Sequence, residues 1–252
     1  MVIKVLKNIL LFAILSLATL PIYAQQDDQL PQKEFTYGLN FNTNGGLIGG
    51  GVIKSSSYLQ NSWFKFWALE VVEVKHPKEN RRYSSSTGNS FIYGKANYLF
   101  VLRPEVGREY VFFRKAPESG VQVNGFFAAG PSIGLLAPYY IVYDYTDYSR
   151  GPNAVADYRV EAYNPEIHTD FENRIRGSAA FFTGLGESKF RPGLHVRGGV
   201  NFEYGRYRED VTGVEVGFVL ETFSKKMVII PQADNSQFFP SFYLTLYYGR
   251  RK

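Results

Sequence analysis

The sequence predicts an all-β fold, a transmembrane antiparallel up-and-down β-barrel of about ten strands with long extracellular loops. Three observations carry that expectation. Apolar and polar residues alternate through most of the chain, the period of a strand with two unlike faces. Beyond an apolar N-terminus, no run approaches the roughly 18 apolar residues of a membrane helix. Laid alternately up and down, the strands send every long connection to one end, as in bacterial outer-membrane barrels, whose periplasmic turns are short.

Residues 1–24 read as a secretory signal peptide. Lys4 and Lys7 supply its positive start, residues 9–18 an apolar run, Pro21 a helix breaker and Ala24 a small residue at the cleavage point. Residues 25–33 then form a short periplasmic segment and residues 34–252 the barrel. The chain has no Cys, which excludes a Cys-linked lipid anchor, a disulfide framework and a Cys-ligated metal site. The two Lys of the signal account for the fall in formal charge from +5 to +3 on its removal. That mild charge, with 17% aromatic residues and 19 Tyr, does not fit a nucleic-acid binder.

The first strand spans 34–43, with Phe35, Tyr37, Leu39 and Phe41 on one face. Asn44-Gly45-Gly46 turns it, because Asn and Gly tolerate positive φ, and 47–54 returns with three consecutive glycines. A turn at 55–62 leads to a strand at 63–75, whose alternation slips between Glu70 and Glu73 and suggests a β-bulge. A polar loop at 76–89 precedes strand four at 90–102. Pro104 and Gly107 mark 103–107 as a turn, strand five is 108–115, a loop fills 116–120 and strand six is 121–129. Gly130-Pro131-Ser132 reads as another turn into strand seven, 133–145, with a strand end or bulge near Pro138. Residues 146–191 form a long Tyr-rich excursion. Strands eight and nine form a hairpin over 192–223 that turns at 206–210, and strand ten, 238–249, follows a loop at 224–237. The short turns then lie in the periplasm with both termini, and the loops at 76–89, 146–191 and 224–237 lie outside.

The 192–223 hairpin shows the sorting most clearly. Leu194, Val196, Val200, Phe202, Val214, Val216, Phe218 and Leu220 alternate with charged or small residues. In a membrane barrel the apolar set faces lipid and the charges face the lumen. Lys95, His195, Arg197, Glu203, Glu215 and Glu221 thereby form a lumen ion-pair network, since confined opposite charges pair. Such filling is structural and obstructs a wide channel. A small selective pore is the alternative use of the same charges, although their mixed sign gives no clear selectivity.

Chemistry-bearing motifs are sparse. Gly130-Pro131-Ser132-Ile133-Gly134 matches the Gly-x-Ser-x-Gly pattern of serine hydrolases, but lacks the strand–turn–helix context of that elbow. His76, at a strand end with Ser84–Ser86 in the same loop, is the candidate for a rim-located hydrolase. His168 lies near Glu166, Asp170 and Glu172 in what reads as a solvated acidic loop. No His pair has zinc-ligand spacing; no catalytic residue, cofactor or metal is expected. Tyr143, Tyr145, Tyr148, Tyr158 and Tyr163 form a candidate interaction surface on the outer excursion, because Tyr is an amphipathic contact residue. Met227-Val228-Ile229-Ile230 reads as a strand extending above the bilayer or as a contact with a partner.

The closing Tyr243-Leu244-Thr245-Leu246-Tyr247-Tyr248-Gly249-Arg250 resembles the small outer-membrane barrels of Bacteroidetes-type bacteria, a group that includes PorT-like proteins. So does the segment from Arg191-Pro192-Gly193 through Phe202-Glu203-Tyr204-Gly205 to Val214-Glu215-Val216-Gly217. The resemblance implies a non-enzymatic accessory or scaffold in protein export or envelope assembly. It would be a monomeric barrel in contact with outer-membrane lipid and with other envelope or secretion proteins through its outer loops.

Overall fold

The computed structural model describes residues 33–115, 120–169, 173–204 and 209–251. The expected signal peptide lies outside them, as do most of the periplasmic segment and parts of the turns at 116–120 and 206–210. In chain order the strands are β1 (Lys33–Asn42), β2 (Gly46–Tyr58), β3 (Trp63–Val74), β4 (Arg81–Tyr83), β5 (Ser90–Ile92), β6 (Asn97–Phe113) and β7 (Val121–Pro138). They continue with β8 (Tyr140–Asp144), β9 (Tyr158–Ala162), β10 (Ile175–Ser178), β11 (Lys189–Tyr204), β12 (Asp210–Phe223) and β13 (Phe238–Arg251). Eight of them close a barrel in the order β1-β13-β12-β11-β7-β6-β3-β2, every neighbour antiparallel. The barrel seals where β1 meets β13, Leu39 opposite Leu246.

Eight strands replace the expected ten because two turn signals are not turns. Residues 103–107 lie inside β6, and Gly130-Pro131-Ser132 inside β7. The register pairs Leu102 with Ile133 and Val106 with Ala129, so Pro104 falls opposite Pro131. Neither proline has an N–H to give the ladder, and pairing lapses between those flanking positions without a shift of register. Gly130 permits the close crossing there: a Cβ on it would sit 2.0 Å from the Pro104 carbonyl oxygen. The bulge expected in β3 is also absent. Glu70 faces in and Glu73 out, and β3 keeps an unbroken register with β6.

The two miscounts cancel in direction. Connections 43–45, 75–96, 139–188 and 224–237 leave one end of the barrel, the loop end. Residues 59–62 leave the other end, where β6 and β11 finish and β7 and β12 start, so only the link from β6 to β7 is at the end opposite to the one expected. Gly46 (φ 78°) starts β2 after the 43–45 turn, and Asn61 and Ser62, both at positive φ, turn β2 into β3.

Two small sheets rise at the loop end. β4, in the connection expected to be plain loop, pairs with β5, which is the start of the expected strand four split off from β6, and β8 sits between β9 and β10. Strand seven of the sequence reading therefore ends at Pro138, and its distal part is β8 of a separate sheet.

Candidate functional site

Alternation along each barrel strand gives the wall its chemistry. On β3, Trp63, Trp67 and Val71 face out, whereas Phe64, Phe66, Ala68, Glu70, Val72 and Val74 face in. The same sorting exposes Tyr37 and Leu39 on β1, Phe127 on β7, Phe202 on β11, Val216 and Phe218 on β12 and Leu244 and Leu246 on β13. The outside is an apolar belt. Near the end that carries the termini it turns aromatic, with Tyr37 edge-on to Tyr248 and Trp63 beside Tyr110.

Inside, the charges converge. Arg103 on β6 forks onto Glu221 of β12, Nε to Oε1 at 2.8 Å and Nη2 to Oε2 at 2.7 Å, and its Nη1 donates to Glu70 at 2.9 Å. Glu70 also accepts from Asn40 at 2.7 Å and faces Arg197 at 3.3 Å. Arg197 donates to Glu215 at 2.8 Å, to Glu105 at 3.3 Å and to the Tyr243 hydroxyl at 2.8 Å, with its guanidinium over the Tyr243 ring. Nearer the termini, Lys54 meets Glu109 at 2.6 Å, and Asn124 and Asn201 both donate to the other oxygen of that carboxylate. Glu203 pairs with Lys115 at 2.9 Å and with Arg251, which also holds Glu34.

Five of the six residues expected in the lumen network, His195, Arg197, Glu203, Glu215 and Glu221, are buried in it. Lys95 is not on a barrel strand. It lies between β5 and β6, covered by the Tyr98 ring, and donates to Glu79 at 2.9 Å. Burial pulls its ammonium below the ordinary lysine range against the opposing pull of Glu79 and Glu73. Lys54, Glu70, Arg103, Glu105, Glu109 and Arg251 belong to the network without having been singled out in the sequence. Arg103 and Glu105 were hidden in a supposed turn, and Glu70 in a supposed bulge.

Ser132 is the other surprise. Its hydroxyl lies 3.1 Å from His195 Nδ1, and His195 Nε2 lies 3.3 Å from Glu105, an order of groups like that of a hydrolase triad. The same hydroxyl donates to Glu221 at 2.6 Å, so its proton is held by a carboxylate already paired with Arg103. All three groups are buried, and of them only Glu105 lines the lumen cavity, which is about 30 Å³. The arrangement orders the core and offers no place for a substrate.

An apolar cap covers the loop-end side of this network. Met227, Ile229 and Ile230 fold onto Val72, Val74, Leu99, Val101, Leu136 and Phe223. The 227–230 run is therefore neither a strand nor a free contact surface. Asn235 clamps it, accepting from Ile229 N–H at 2.8 Å and donating to the Ile230 carbonyl at 2.7 Å. His76 has a related task. Its Nδ1 accepts from Lys78 N–H, leaving Nε2 to donate to the Asp234 carbonyl at 3.1 Å. Both ring nitrogens thus tie backbone together, and Ser84 pairs with Ser86.

The β8–β10 sheet has its own core of Phe91, Tyr139, Ile141, Tyr143, Tyr163 and Ile175. Of the tyrosines expected at an interaction surface, Tyr143 and Tyr163 belong to that core: alternation along β8 turns Tyr143 beneath the sheet, and Tyr163, just past β9, is held there by its N–H to the Tyr139 carbonyl. Tyr145 is half-buried, while Tyr148 and Tyr158 are open to solvent. His168 is also buried, between the Tyr143 and Tyr163 rings, instead of lying in a solvated acidic loop; Asp170 and Glu172 lie outside the described residues. Its Nδ1 accepts from Asn164 N–H and its Nε2 donates to Glu161 at 2.9 Å. Burial alone would raise the Glu161 carboxyl, but hydrogen bonds from Tyr145 and His168 outweigh it and hold the group below the usual glutamate range. The bond to Glu161 pushes Tyr145 up to about 12.

No protein-family model matches the chain, and no curated protein matches it in sequence. Among solved structures, Neisserial surface protein A (NspA) is similar over 87% of this chain and 96% of its own, at 9% identity and a TM-score of 0.37. Ail, the attachment invasion locus protein of Yersinia pestis, solved with the heparin analogue sucrose octasulfate, is similar over 87% and 97%, at 9% identity and a TM-score of 0.36. Likeness this slight transfers neither activity nor ligand.

Proposed function

We propose that this chain is an integral outer-membrane barrel with a closed lumen, acting without catalysis through the sheet and loops at its loop end. One observation carries the reading: the barrel is apolar outside and ion-paired inside. A soluble barrel would leave that belt in water, whereas a bilayer solvates it and leaves charges stable only within the lumen. The long connections gathered at one end support an outward-facing loop end with the termini in the periplasm.

The interlocked network and the 227–230 cap favour obstruction over conduction. Planar-bilayer recording tests this, and reproducible unitary conductance from the wild type would overturn it. Within this reading, the likeness in sequence pattern to PorT-like barrels supports an accessory or scaffold role in export or envelope assembly. Co-purification after mild detergent extraction from native membranes tests that role: envelope proteins are expected to come with the barrel, and recovery of the barrel alone counts against it.

A further inference from the structure

The core of the β8–β10 sheet takes up Ile141, Tyr143 and Ile175, whereas the turn after β10 carries a run of exposed apolar side chains. Phe182 is 75% exposed, and Phe181 and Leu185 beside it are also open. The turn is ordered by its own bonds: Ala179 N–H donates to the Tyr140 carbonyl, Thr183 N–H to that of Ala180, and Tyr140 hydroxyl to Glu187 at 2.7 Å. Gly184 (φ 81°) lets the chain pass close over Tyr140, where a Cβ would sit 2.4 Å from the ring.

The turn lies against the barrel wall. The Phe181 ring is 5.4 Å from Tyr98 and 5.7 Å from Phe100, both projecting outward from β6. Phe100 pairs across the ladder with Leu135, and Leu135 with Phe190, which is exposed on β11. An apolar track therefore runs from the belt up β6, β7 and β11 and onto the turn. On the β3 side the outward position level with Phe100 is Glu73, so the apolar track stops at β6 in that direction.

We propose that Phe181, Phe182 and Leu185 form an interfacial wedge that enters the outer leaflet and docks the sheet onto lipid acyl chains. Aromatic rings favour the boundary between headgroups and acyl chains. The inference rests on the membrane reading above and deepens it, because it assigns lipid contact to a segment outside the barrel wall.

Tryptophan quenching by acyl-chain-brominated phosphatidylcholine in reconstituted vesicles tests it. The native Trp63 and Trp67 both face outward on β3, so wild-type emission reports the belt. Phe182→Trp is placed in a Trp63→Phe, Trp67→Phe background, and Val160→Trp, on the water-facing side of β9, in the same background. The expected result is blue-shifted emission and a loss of intensity for Phe182→Trp comparable to the wild type, with little loss for Val160→Trp. Quenching of the wild type without quenching of Phe182→Trp overturns the wedge and leaves the membrane reading intact. Equal quenching at 182 and 160 overturns it as well, since the whole sheet would then lie on lipid. An unquenched wild type overturns the membrane reading and the wedge together.

Discussion

The barrel and the β8–β10 sheet bury different things. The barrel turns Arg103, Arg197, Glu70, Glu105 and Glu221 inward and shows Leu39, Val216 and Leu246 to its surroundings. The sheet packs Tyr139, Ile141, Tyr143 and Ile175 in a core of its own, while Asp157 and Arg159 stay exposed and pair at 2.6 Å. Period two fixes only that two faces differ. Which face is buried depends on the solvent each part meets, and the proposed membrane reading assigns lipid to the barrel wall and water to the sheet.

The largest effect expected from this contrast is at Val216. Val216→Arg puts a charge on the lipid side near mid-wall and should cost about 2–4 kcal/mol or block insertion. Val160→Arg, at an exposed position of the sheet, should stay within about 0.5 kcal/mol. Heat-modifiable gel mobility after folding into vesicles separates the two, and equal tolerance would remove the distinction between the regions.

Arg103→Ala should follow, at about 3–5 kcal/mol in denaturant unfolding from vesicles, because it strands Glu221 and Glu70 without their guanidinium. Arg197→Ala belongs in the same range, and Glu203→Ala should also destabilise, by unpairing Lys115 and Arg251. Met227→Ala, at the cap, should cost about 2–5 kcal/mol, the range for truncating a buried methionine. If Met227→Ala opens a conductance that Arg103→Ala does not, the cap is the principal seal; the reverse result gives that role to the ionic network.

The smallest effect is a pH dependence of the sheet. Glu161 titrates below the ordinary glutamate value when folded, so its contribution is fully present above roughly pH 4.3 and fades as pH falls through its lowered value. Hydrogen-exchange protection of β8 and β9 should weaken across that acid window in the wild type, and Glu161→Gln should reduce the dependence, leaving the part due to Asp144, which, against burial, Thr146, Tyr148 and Arg176 also hold low.

Much of the barrel was legible because a closed wall with unlike inner and outer surroundings imposes alternation, and the hairpin of β11 and β12 shows it clearly. The count failed where Pro104 and Pro131 meet. Proline marks a turn in sequence, but two prolines at one register position lose their ladder bonds against each other and let both strands continue. Reading turns there leaves Arg103 and Glu105 off the strands, and with them the middle of the network. The sheet was illegible for a different reason. Its strands are four or five residues long, too short for a period to show, and its core is assembled from tyrosines that look like surface residues in a polar loop. The cap was misread because an apolar run in a loop does not say what it will fold onto.

The central claim is that the apolar belt sits in a bilayer, and washed native membranes test it most directly. The account predicts that the protein stays with the outer-membrane fraction through carbonate and urea washes. It should come out folded only in detergent and run at different mobility before and after boiling. A folded monomer released into the aqueous phase without detergent would contradict it.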